Sequence, residues 1–167
     1  MIKLIVLDVD GTLTDGAITY LDDENGTELK SFDVKDGMAI AAWNRLGLTS
    51  AIITGRTSDI VEKRGKELGC KYVLQGVWDK GEALREIITK EALSKDEVAV
   101  VGDDLNDIKM FNESGLSLAP YDCSPRIKKY IHKVLEHSGG KGAVREAIEY
   151  ILERNGLTEK FIEIYTK

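Results

Sequence analysis

The chain is short of cysteine, of positive charge and of long apolar runs, and each shortage excludes something. Cys70 and Cys123 are its only cysteines in 167 residues. Two cysteines are too few for a disulfide scaffold, and their spacing matches no zinc motif. Free thiols in a reducing compartment are expected. Acidic residues outnumber basic ones 29 to 23, giving a formal net charge of −6. Nucleic-acid binders and proteins of anionic membrane surfaces are normally basic, so neither partner is expected. The apolar run from Leu4 to Leu7 is far too short for a membrane span or a signal-peptide core, and a cytoplasmic location is expected. No repeat, low-complexity tract or Pro/Gly/Ser linker interrupts the chain, so residues 1–167 are read as one domain.

What is present is alternation. Short apolar runs at 2–7, 49–53, 72–74, 98–101 and 116–118 read as buried strands of a parallel sheet. Between them lie stretches with helical spacing: Met38, Ala42, Arg45 and Leu46; Ile60, Val61, Arg64 and Leu68; Ala83, Leu84, Ile87 and Ile88; Ile108 and Phe111. Strand–helix alternation predicts a doubly wound α/β fold. Two segments break the pattern. Asn25-Gly26 between two β-prone runs predicts a protruding hairpin over about 15–34. Gly139-Gly140-Lys141-Gly142 predicts a flexible turn before a helix at 143–152, followed by an apolar-rich tail at 157–167.

Open α/β sheets bind ligands at the carboxyl ends of their strands. The first predicted strand ends in Asp8-Val9-Asp10-Gly11-Thr12, the second in Thr54-Gly55-Arg56, and the fourth in Gly102-Asp103-Asp104-Leu105-Asn106-Asp107. Lys80 opens the helix after the third. Asp8, Asp10, Asp103 and Asp107 would converge on one crevice, and such carboxylates repel unless a cation or a proton intervenes. An all-oxygen acidic set suits Mg²⁺. Thr54 and Lys80 offer a hydroxyl and a positive charge to a phosphate oxygen, and the amides of 9–12 offer an anion nest. This set fits phosphoryl transfer: one carboxylate attacks phosphorus, a second carboxylic acid protonates the leaving oxygen and later activates water. Asp104 reads as a helix N-cap. Trp43 and Trp78 read as packing or rim residues, and His132 and His137 as non-catalytic.

These four motifs, in this order and spacing, resemble those of the haloacid dehalogenase superfamily phosphatases. The resemblance implies Asp8 as nucleophile and Asp10 as general acid/base. It implies Asp103, Asp8 and the Asp10 main-chain carbonyl as Mg²⁺ ligands, with Asp107 holding metal-bound water. Thr54, Gly55 and Lys80 are implied as phosphate-binding. Only 46 positions separate Asp8 from Thr54 and 26 separate Thr54 from Lys80, which leaves no room for a cap domain. An uncapped crevice needs a macromolecular substrate or a neighbouring subunit to close it.

The runs GTLTDG, FDVKDG, TGR and GGKGAVRE resemble the capless 3-deoxy-D-manno-octulosonate 8-phosphate phosphatases over nearly the whole chain. That resemblance implies a sugar-acid phosphate substrate in lipopolysaccharide precursor synthesis. It also implies a homotetramer built through the hairpins, with each site completed by neighbours. Arg56 is the candidate fork for the sugar carboxylate, with Arg64, Lys141 and Arg145 as further substrate-binding candidates. Relatives acting on the nine-carbon keto-deoxy sugar acid 9-phosphate carry an acidic residue beside the motif-two glycine, where this chain has Arg56. That nine-carbon activity is the alternative. A receiver-like phospho-acceptor and a non-catalytic regulatory subunit are remoter ones.

Overall fold

The computed structural model describes residues 1–166; Lys167, the last residue of the predicted tail, lies outside the described residues. Six parallel strands form one sheet in the order β5-β4-β1-β6-β7-β8. They are β1 (Leu4–Leu7), β4 (Thr49–Ile53), β5 (Tyr72–Leu74), β6 (Val98–Val101), β7 (Leu116–Ala119) and β8 (Lys133–Val134). A separate two-stranded antiparallel ribbon, β2 (Thr19–Tyr20) with β3 (Glu28–Leu29), is the predicted hairpin, shorter than its β-prone flanks suggested.

Strand alternation divides the core in two. Ile5, Leu7, Ile52, Ala99, Val101 and Leu118 face one layer, built by α1 (Val34–Arg45), α2 (Asp59–Leu68), α5 (Ala143–Arg154) and α6 (Thr158–Thr166). Leu4, Val6, Ala51, Ile53, Val98 and Val100 face the other, built by α3 (Lys80–Lys90) and α4 (Ile108–Asn112). Both faces of the central strands are therefore apolar, which is why they read as unbroken runs.

Helix α1 differs from its predicted stripe. It starts at Val34, capped by the Asp33 side chain accepting from the Lys35 amide. That start turns Ala39, Ile40, Ala42 and Trp43 inward and leaves Met38 and Arg45 exposed. Trp43 is fully buried, and its Nε1 donates to the Thr49 carbonyl at 2.8 Å. Trp78, by contrast, stands exposed just ahead of α3. The short ribbon and α1 fill the chain between β1 and β4, and α2 and β5 fill it between β4 and α3, so no cap domain is inserted between the motifs. No helix among the described residues is long and apolar enough to cross a membrane.

Candidate active site

The first, second and fourth motifs leave the carboxyl ends of the neighbouring interior strands β1, β4 and β6. Backbone bonds continue the ladder past the strand ends: the Asp8 amide donates to the Val101 carbonyl at 3.0 Å, and that of Thr54 to the Leu74 carbonyl at 2.9 Å. Asp8, Thr54, Lys80 and Asp107 are all buried there, an arrangement polar groups tolerate only when partnered.

Lys80 is the partner of the two carboxylates. As the first residue of α3 it sends its ammonium to Asp8 Oδ1 at 2.6 Å and to Asp107 Oδ1 at 2.7 Å. Asp107 Oδ2 accepts from the amides of Asp103 at 2.9 Å and Asp104 at 3.3 Å, which fixes the turn after β6. Asp104 caps that turn, accepting from the Leu105 amide. Carboxylate oxygens of Asp8, Asp103 and Asp107 lie within 4.8 Å of one another. Gly11 makes the approach possible. It sits at φ +93, and a Cβ there would lie 2.2 Å from Asp103 Oδ2. Motif one and motif four thus touch only because position 11 has no side chain.

One ammonium against three carboxylates leaves the pocket negative. Burial, then the charge of Asp107, pushes the Asp8 carboxyl up to about 6 despite Lys80. Burial, then the charges of Asp8 and Asp107, pushes Asp103 up to about 8. Lys80 moves the other way: burial pulls its ammonium down, but the two carboxylates outweigh it and hold it above the usual lysine value. A buried, oxygen-only, over-negative trio has the donor chemistry of a hard divalent cation such as Mg²⁺.

Asp10 does not join the trio with its carboxylate. That group accepts from Lys30 Nζ at 2.5 Å and lies 3.8 Å from Arg56 Nε. Four converging carboxylates are therefore three, with the fourth turned toward the hairpin. Lys30 is absent from the sequence-derived set. The available signal was its position two residues after Glu28, on the same face of an extended segment. Arg56 is not free either, since its Nη2 donates to Glu28 Oε1 at 3.0 Å.

The other substrate candidates are engaged elsewhere. Arg64 packs between α1 and α2, over the Phe32 ring and against Gly37, where a Cβ would lie 2.2 Å from its Nη2. Arg145 pairs with Glu149 at 2.6 Å and covers the Phe161 ring. Lys141 is exposed beside a depression of about 440 Å³ that it shares with Lys35, His137 and Arg145. His137 contacts Glu146 at 2.9 Å and His132 contacts Ser117 Oγ at 2.8 Å.

The glycine turn does more than link elements. The Gly140 amide donates to the Thr12 carbonyl at 3.0 Å, and a Cβ on Gly139 would lie 1.9 Å from the Gly11 carbonyl oxygen. Residues 139–140 therefore press on motif one of their own chain. Asp36 on α1 secures the far side, accepting from the Arg145 amide at 2.7 Å at the start of α5. Neither this turn nor the hairpin is idle within one chain.

Residues 73–148 match the haloacid dehalogenase-like hydrolase model. The 3-deoxy-D-manno-octulosonate 8-phosphate phosphatase KdsC of Escherichia coli strain K12 is 41% identical over 155 residues, covering 93% of this chain and 81% of that protein. The enzyme of that name from Haemophilus influenzae is 36% identical over 160 residues, covering 96% and 88%. Among solved structures, the phosphatase of Moraxella catarrhalis in complex with magnesium, phosphate and KDO superposes with a TM-score of 0.92 at 38% identity, covering 98% of this chain and 93% of that one. A cobalt-bound form from Haemophilus influenzae gives 0.88 at 36% identity, covering 94% and 91%. Similarity at this level, across nearly the full length and on the same capless fold, places the chain in the 3-deoxy-D-manno-octulosonate 8-phosphate phosphatase family of haloacid dehalogenase-like hydrolases.

Proposed function

We propose that this chain is a Mg²⁺-dependent phosphomonoesterase that releases phosphate from 3-deoxy-D-manno-octulosonate 8-phosphate, a step toward lipopolysaccharide precursors. The observation that carries the reading is the buried Lys80 ammonium bridging Asp8 and Asp107 beside Asp103. Such a constellation serves a dianionic phosphoryl group better than it serves fold stability, because buried ion clusters are poor stabilisers.

In the first half-reaction an Asp8 oxygen bonds to phosphorus. The bond from phosphorus to the sugar oxygen breaks, and the Asp10 proton moves onto that oxygen. In the second, water attacks phosphorus, gives its proton to Asp10, and the bond to Asp8 breaks. Lys80 and Thr54 hold equatorial phosphoryl oxygens, with the Gly55 backbone beside them, and Lys80 offsets the charge that grows there. Asp8, Asp103 and the Asp10 main-chain carbonyl would hold Mg²⁺, steadied by Asp107; bound there, the ion supplies neutralisation of the phosphoryl charge. Arg56 is the residue for the sugar carboxylate, once it exchanges Glu28 for substrate.

The chain acts as one catalytic domain in the cytoplasm. A homotetramer with neighbour-completed sites remains our reading of the open crevice, supported by exposed Ile18, Tyr20, Leu21 and Leu29 on and beside the hairpin. Light scattering on the purified protein tests it, and a fully active monomer ends it. The functional reading is tested by phosphate release from a panel of sugar phosphates, with and without Mg²⁺. The eight-carbon acid phosphate should lead the panel. A lead by the nine-carbon 9-phosphate would move the assignment to that substrate.

A further inference from the structure

We propose that Lys30 is a positioning residue for the departing sugar oxygen: its ammonium fixes the Asp10 carboxyl group from the hairpin side. The proposal rests on the reading of Asp10 as proton donor. Asp10 Oδ1 accepts from Lys30 Nζ at 2.5 Å. The same ammonium lies 3.0 Å from Glu28 Oε1, and Arg56 Nη2 lies 3.0 Å from that oxygen too. Four charges of alternating sign therefore run from motif one, through the hairpin, to motif two.

Burial separates their roles. The Lys30 side chain is 1% exposed, while those of Asp10 and Arg56 are 21% and 42% exposed. A buried ammonium held by two carboxylates has little freedom, so it is a fixed point. Asp10 is anchored to it through one oxygen. Oδ2, 3.8 Å from Nε of the more exposed Arg56, is the oxygen left to face the departing group. An unanchored Asp10 could rotate about χ1 and χ2 and leave the leaving oxygen without a donor, and small misplacements of catalytic groups are costly. This gives the hairpin a task inside its own chain, whatever its role between chains.

The test uses Lys30→Met and Lys30→Arg in the full chain, with two substrates. The sugar 8-phosphate expels an alkoxide that needs a proton. p-Nitrophenyl phosphate expels a stable phenolate that does not. Lys30→Met should lower kcat on the sugar phosphate by about 10²-fold, at the lower end of what general acid catalysis contributes, with KM little changed. Its stoichiometric burst of nitrophenolate should persist at the wild-type rate, with only the later turnover slowed. Lys30→Arg should recover most of the lost kcat, since it keeps a cation against Asp10. An unaltered melting temperature confirms the fold. Should Lys30→Met not fold, Glu28→Gln, which loosens the same lysine, should show the same split at smaller size.

Three results overturn the proposal. One is wild-type turnover of the sugar phosphate by Lys30→Met. Another is a raised KM at unchanged kcat, which would make Lys30 a substrate contact. The third is equal loss of burst and turnover. If the wild-type protein itself turns over neither ester, the phosphatase reading fails instead, so the two failures are separable.

Discussion

Replacing Gly139 by alanine adds one methyl group at a place where backbone meets backbone. The Cβ would lie 1.9 Å from the Gly11 carbonyl oxygen, 2.6 Å from its carbon and 2.9 Å from the Thr14 carbonyl oxygen. Ordinary contact begins at 3.4 Å, so one of the two segments must retreat by about 1.5 Å. Neither can do so by turning a flexible side chain. Gly139 has no positive φ, so alanine suffers no backbone penalty and the effect is purely steric. The displaced segment lies between Asp10 and Thr14, and Gly11 itself touches Asp103. A shift of about 1 Å at catalytic groups can cost roughly 10²-fold in rate. Overpacking of this kind typically costs about 1–3 kcal/mol of stability. At about 2–4 °C per kcal/mol for a chain of this size, the melting temperature should fall by roughly 2–12 °C. Steady-state kinetics and a thermal melt read both effects. Wild-type kcat/KM together with an unchanged melting temperature would refute the idea that the glycine turn braces motif one.

Three further outcomes are expected. Exhaustive chelation should abolish turnover, and Ca²⁺ should restore it poorly because it takes more ligands at longer distances than Mg²⁺. Mg²⁺ should also raise the melting temperature, and Asp103→Asn should blunt that rise, a readout independent of activity. Asp36 supplies a pH signature: burial pushes its carboxyl up to about 6 from 3.8, outweighing the backbone donors of Arg145 and Gly142. The folded chain therefore holds this proton more tightly than the unfolded chain. Stability from it is complete below about pH 4 and is lost as pH rises through 6, a difference of about 3 kcal/mol. Asp36→Asn should gain on the wild type by that order between pH 4 and pH 7 in denaturant titrations, and a constant difference would contradict the assignment.

Asp8, Asp103 and Asp107 were legible because each follows a strand whose apolar run is unmistakable, and strand ends in a parallel sheet converge. Lys30 was not, because its partner lies 20 positions away and no motif surrounds it. Strand β8 escaped because Lys133-Val134 carries no apolar run; it forms by pairing with Leu118-Ala119. The α1 stripe was misphased because the Asp33 cap, rather than Asp36-Gly37, sets where the helix begins. Gly139 read as flexibility, whereas its lack of a side chain serves a close approach that only the folded backbone shows. Helix α5 carries six buried apolar residues, Ala143, Val144, Ala147, Ile148, Ile151 and Leu152. It belongs to the core of its own chain, so removing the C-terminal segment would remove core and cannot isolate a role between subunits.

The central claim is that phosphate passes through the Asp8 carboxylate. It is tested most directly by quenching the enzyme in acid during turnover of 3-deoxy-D-manno-octulosonate 8-phosphate with Mg²⁺ present. Borohydride then reduces any acyl phosphate to the alcohol, and mass spectrometry reads the peptide. Homoserine at position 8, absent without substrate and absent from a folded, inactive Asp8→Asn variant, is the expected result. Steady phosphate release with no modified residue, or with the modification on another carboxylate, would contradict the account.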